Sequence, residues 1–157
     1  TMNISGVTTL GANVVASANI AANMLQLATV AITAAQFNGA YAAPKLLVAA
    51  PGANLTLVLD QCQLSMAYGT TPFAAGGVAA IQYGNTVNGG GVIASSTLAA
   101  AVFQASASTS FTFTSGTGAL PTATTTNQGL YLSNLTGAFT TGDSTFTAYV
   151  WYRVRAS

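Results

Sequence analysis

The chain has 157 residues, of which 51% are apolar and only 3% charged. Lys45, Asp60, Asp143, Arg153 and Arg155 carry all of its formal side-chain charge, and histidine and glutamate are absent. Three cations are too few for a nucleic-acid footprint, because each phosphate contact takes a cation or a well-placed donor. Without His or Glu, the commonest general bases and several usual metal ligands are missing as well.

The apolar share is dominated by 31 alanines, while Leu, Ile, Val and Phe together number 38, enough to build one core in a single domain of this length. Polarity comes from 23 threonines and 12 serines rather than from charge. Such a surface is wettable but does little to repel its own copies. The chain is therefore expected to live in an assembly with itself, as a homo-oligomer.

In chain order, residues 1–27 are poor in large apolar groups and predict an N-terminal arm. A short helix is expected near SANIAANMLQLA, with Ser17 as N-cap and Ile20, Met24 and Leu27 on one stripe. The uncharged run 11–35 is long enough to cross a bilayer. However, Asn13, Asn19, Asn23 and Gln26 interrupt it and no Lys or Arg flanks it, so no membrane partner is expected. Residues 1–27 hold no basic segment of the kind that opens a secretory signal.

From residue 28 the pattern turns to β. ATVAIT (28–33) alternates, AAQFNGAY (34–41) is a turn or helical turn, and KLLVA (45–49) is a short strand after Pro44. In LTLVLDQCQLSMAY (55–68) the apolar residues are odd-numbered at Leu55, Leu57 and Leu59, then even-numbered at Cys62, Leu64, Met66 and Tyr68. A regular strand cannot change phase without swapping its faces, so a β-bulge or bend is expected at Asp60-Gln61. VAAIQYG (78–84) is a strand, and NTVNGGG (85–91) is a hairpin connection. VIASSTLAAAVFQ (92–104) fits a strand followed by a helical turn. STSFTFTSG (108–116) and GLYLSNL (129–135) are strands separated by the loop 117–128.

The last stretch, DSTFTAYVWYRVRAS (143–157), alternates strictly. Phe146, Ala148, Val150, Tyr152 and Val154 share one face, and Thr147, Tyr149, Trp151, Arg153 and Arg155 share the other. About eight short strands with Gly, Pro and Asn turns predict an all-β, antiparallel β-sandwich, jelly-roll-like, over residues 28–157 behind the arm.

Candidate chemistry is sparse. Asp60 and Asp143 lie in separate elements. Asp143 has the setting of a turn aspartate, and Asp60 is expected at the bulge or paired with Lys45 or an arginine. Cys62 sits inside a strand pattern as a small buried hydrophobe. NGGGV lacks the lysine and the following helix of a phosphate loop. The sequons at Asn3, Asn54 and Asn134 arise readily in a chain rich in Ser, Thr and Asn. The chain is expected not to be an enzyme, with no cofactor and no metal.

Two stretches, 42–85 (AAPKLLVAAPGANLTLVLDQCQLSMAYGTTPFAAGGVAAIQYGN) and 127–154 (NQGLYLSNLTGAFTTGDSTFTAYVWYRV), resemble small virion proteins of tailed bacteriophages. They are similar to single-domain jelly-roll decoration, or cement, proteins. That resemblance implies a homotrimer on the phage head surface, bound to the major capsid protein and stabilising the lattice. Under it Tyr149, Trp151, Arg153 and Arg155 form a subunit or lattice contact, since aromatic residues and arginine are enriched in interface cores. The alternatives are a second intramolecular apolar face for that strand, and, for the protein, a tail, fibre or receptor-binding module whose loops 69–77 and 117–128 contact host glycans.

Overall fold

The computed structural model describes residues 24–116 and 120–157. Residues 1–23, with the expected cap at Ser17, the sequon at Asn3 and the first half of the long uncharged run, lie outside the described residues. Gln26 and Leu27, grouped with the arm on sequence, open the first strand. No helix among the described residues is long and apolar enough to cross a membrane.

The described elements run β1 (Gln26–Ile32), α1 (Ala34–Asn38), β2 (Lys45–Val48), β3 (Leu55–Ala67), β4 (Ala74–Ala75), β5 (Ala79–Tyr83), β6 (Val92–Ile93), α2 (Ala100–Phe103), β7 (Thr109–Thr114), α3 (Thr122–Thr125), β8 (Leu130–Asn134), β9 (Phe139–Thr141) and β10 (Thr145–Ala156). All strand pairs are antiparallel. One large sheet (sheet A) has the order β1-β10-β3-β7 and the other (sheet B) β2-β8-β5-β6, while β4 and β9 form a two-stranded ribbon. The protein is thus an all-β antiparallel sandwich, as its alternating patterns predict. Counted in chain order through the two large sheets, the first strand lies beside the last, the second beside the seventh, the third beside the sixth and the fourth beside the fifth. The chain is one long antiparallel hairpin folded over, closed by the further pairs β10–β3 and β8–β5.

β3 carries the phase change expected from its sequence. Trp151 of β10 pairs with Gln61, but the next residue, Tyr152, pairs with Leu59, so Asp60 is the extra residue of a bulge. With this one-residue slip, Leu57 and Leu59 before it and Cys62, Leu64 and Met66 after it are all buried. β10 keeps its phase: Phe146, Ala148 and Val150 are buried, and Tyr152 and Val154 are partly buried against the same core.

One end of the core is plugged by aromatics. All seven phenylalanines of the sequence are buried. Phe37 stands at their centre, with ring centroids 4.4 Å from Phe146, 4.9 Å from Phe73, 5.0 Å from Phe139 and 5.2 Å from Phe103. These separations lie at the close end of favourable aromatic pairing. The short helix α1 that delivers Phe37 is fixed by a capping box: Thr33 Oγ1 accepts from Gln36 N, and Gln36 Oε1 accepts from Thr33 N. Asn134 Nδ2 then donates to Phe37 O at 3.0 Å inside the core, tying α1 to sheet B.

The two sheets differ in cover. Every residue of β5 is buried, and the connection 84–91 folds back over Gln82 on the outer face of sheet B. Gln82 Nε2 donates to Gly84 O and Thr86 O, and Gly91 packs on the Gln82 amide with no space for a Cβ. The glycine-rich stretch is therefore the tight hairpin connection that the sequence suggests. Sheet A has no such cover among the described residues: Leu27, Thr29, Ala31, Gln61, Thr112 and Thr114 are exposed on its outer face.

Asp143 holds loop 69–73 against the start of β10. Its carboxylate accepts from Thr70 Oγ1 at 2.6 Å and from the backbone amides of Thr70 and Thr71 at 2.9 Å. That loop carries Phe73 into the aromatic cluster, and Gly142, at φ +116°, lies directly under the Phe73 ring. The Thr70 hydroxyl, then the Thr71 and Thr70 amides, hold the Asp143 carboxyl below its ordinary value of 3.8.

The cluster's central residue sets the first expectation. Phe37→Ala should cost about 3–5 kcal/mol in urea unfolding, as a large aromatic is lost from a site that cannot collapse. For Asp143, a depressed folded pKa means stability present above the unfolded value and lost as pH falls through the folded one. Asp143→Asn should therefore melt below the wild type at neutral pH, and the two melting temperatures should converge as the pH falls below the ordinary carboxylate range.

Candidate functional site

The outer face of β10 brings together three of the four residues singled out on sequence. Tyr149 and Trp151 are half-buried neighbours with ring centroids 6.5 Å apart at 33°. Arg153 Nε donates to Asp60 Oδ2 at 3.0 Å, both groups remaining partly exposed. The bulge is what presents Asp60 here, so the bulge and the ion pair are one feature. A pair this exposed contributes at most about 1 kcal/mol, but it fixes the guanidinium in the same groove that Trp151 lines. Leu25, Asp60, Gln61, Trp151 and Arg153 line one shallow groove of about 320 Å³.

β1 completes this surface. Leu27 is the cross-strand partner of Trp151. Met24, Leu25 and Leu27 are 55%, 54% and 54% exposed, the highest values among the large apolar residues described. Two exposed leucines beside a tryptophan, Leu25 and Leu27, on a sheet face made mostly of Thr, Ser and Gln, make an apolar patch with a polar surround. Composition alone gave no reason to place Leu25 or Leu27 beside Trp151. They are more than 120 positions apart in the sequence, and only the β1–β10 pairing joins them.

Arg155 stands apart from the other three. It lies opposite Thr56 in the β10–β3 register and lines a different opening, about 150 Å³, together with Tyr83 and Thr125. The two aspartates are also kept apart: Asp60 bulges at the level of Trp151 and Tyr152, whereas Asp143 precedes β10, so they are separated by ~28 Å of strand rise. Each is engaged by its own partners, Arg153 in one case and Thr70 with Thr71 in the other. Among the described residues no three metal-ligating side chains come together. Asn134 of the NLT sequon is fully buried, and Asn54 is an exposed turn residue with φ +58°.

Cys62 is fully buried under sheet A, and burial pushes its thiol up to about 12. The thiolate is the reactive form. A thiol reagent in excess should thus modify native protein only at the rate of global opening, and modification should track unfolding monitored by Trp151 fluorescence across a urea series.

No protein-family model, no curated protein and no solved structure matches the chain.

Proposed function

We propose that this protein is a non-enzymatic structural component of a tailed-bacteriophage virion, acting as a capsid decoration protein. On this reading it is a homotrimer on the phage head surface, its partners being its own copies and the major capsid protein, and the contact is made through the outer face of sheet A. The observation that carries the proposal is the face around Trp151, uncovered among the described residues, with Leu25 and Leu27 exposed beside it in a chain of five formal charges. Hydrophobic anchors with an adjacent arginine and a polar surround have the composition of an interface hot spot. The hairpin-wrapped strand order also supports a jelly roll, a double-sheet design common among viral capsid and lectin domains.

A second reading, a tail or fibre module that contacts host glycans, draws on loop 69–77. Asp143 fixes the start of that loop in one shape, and a preorganised loop loses less entropy on binding. Retention on purified empty heads supports decoration. Retention on host cells or their glycans, with none on heads, supports the receptor-binding role instead.

The contact surface is tested by a double substitution. Trp151→Ala with Arg153→Ala should leave the melting temperature within a few degrees of wild type while weakening self-association or head binding by at least ~2 kcal/mol. Differential scanning calorimetry and analytical ultracentrifugation on the same sample give both numbers. A destabilised protein that still associates fully would instead make this face part of the subunit's own stability.

A further inference from the structure

The second opening has a structural cause in β3. Gln61–Met66 pairs with β7, whereas Thr56 bridges Thr126 and Leu55 O accepts from Asn127 N. Between these two neighbours, residues 57–60 have no strand on that side among the described residues. Leu57 O is satisfied there by the Tyr83 hydroxyl at 2.6 Å. The break leaves a cavity of about 150 Å³ that reaches from the surface towards the core. Buried Leu57, Leu59 and Ala94 give it an apolar wall, and Ser115 and Thr125 supply hydroxyls.

Arg155 lines the same cavity. Its charge also reaches the Tyr83 phenol, lowering a pKa that burial raises. The sequence contains two acidic side chains, and both are taken, Asp60 by Arg153 and Asp143 by Thr70 and Thr71. Arg155 is thus a guanidinium with no acidic side chain of its own chain left to pair with. Lys45 shares that condition but lines neither of these two openings.

We propose that the cavity between β3, β7 and residues 120–126 binds a monocarboxylate with a short aliphatic stem. The carboxylate lies in the fork of Arg155, with the Ser115 hydroxyl as a further donor, and the stem lies on Leu57, Leu59 and Ala94. A planar carboxylate matches the guanidinium in two parallel hydrogen bonds. A phosphate dianion meets only one cation here, and an uncharged ligand leaves that cation unpaired. The same chemistry is offered by a free short-chain acid and by a glutamate side chain of a docked protein. The proposal is independent of the sheet A contact, since it uses neither Trp151 nor Arg153.

The test is a titration of isotopically labelled protein followed by amide chemical shifts. Sodium butyrate should give saturable shifts at Leu57, Ala94 and Ser115, and butyramide, its uncharged counterpart, should bind at least ~10-fold more weakly. Arg155→Gln, exposed and outside the core, should keep the wild-type melting temperature and lose the butyrate response. N-acetyl-glutamate methylamide separates the two sources: tighter binding than butyrate assigns the site to a protein side chain, and weaker binding assigns it to a free acid. Equal binding of butyrate and butyramide, an unchanged response in Arg155→Gln, or no saturation with any of the three ligands would overturn the proposal.

Discussion

A one-residue slip in β3 governs much of this molecule. Strand faces alternate with a period of two, so a long strand that must stay buried on one side through a bend needs an extra residue somewhere. Asp60 is that residue. Because it is there, five apolar side chains of β3, split between odd and even positions, all point into one core. The extra residue also turns a carboxylate outward beside Arg153, which shapes the groove next to Trp151. On the other edge, β3 changes neighbours at the same level, and the cavity beside Arg155 opens in that break. Core and groove therefore share one local cause, and the cavity opens on the other side of the same strand.

The rest of the stability is concentrated at one end. Phe37 comes from a helix of five residues, too short to persist alone, and holds its place through the Thr33–Gln36 capping box and the Asn134 hydrogen bond. Phe73, Phe103 and Phe139 reach the same cluster from loop 69–73, α2 and β9. These elements have little core of their own. Aromatic packing binds the connections to the two sheets, and Asp143 locks the loop that supplies Phe73. A chain so rich in alanine reaches adequate burial by gathering its few large side chains in one place.

The unequal cover of the two sheets bears on function. On the outer face of sheet B the hairpin connection folds over Gln82, which is buried and hydrogen-bonded to that connection's backbone, while Leu46 and Ile93 on the same face stay exposed. Sheet A presents threonine, serine, glutamine and a tryptophan with exposed leucines beside it. With charge this scarce, electrostatic repulsion does little to keep copies apart. An apolar patch on an otherwise neutral hydroxyl-rich face suits a permanent contact better than a transient one steered by charge.

The sequence by itself determined the strand content, the β3 bulge, the buried role of Cys62 and the inward and outward faces of β10. Each follows from a local period of two or from a break in it, which neighbouring residues reveal without knowledge of the fold. It also placed the hairpin connection at 85–91, where glycines permit tight turns and close packing. Only the tertiary structure decided the rest. The β4–β9 ribbon consists of short segments whose pairing is set by partners more than sixty positions away. Leu27 meets Trp151 because the two ends of the described chain pair, a contact that no local pattern encodes. Arg153 and Arg155, two residues apart on the same face of β10, line different openings, because what lies beside a strand position depends on its neighbours across the sheet.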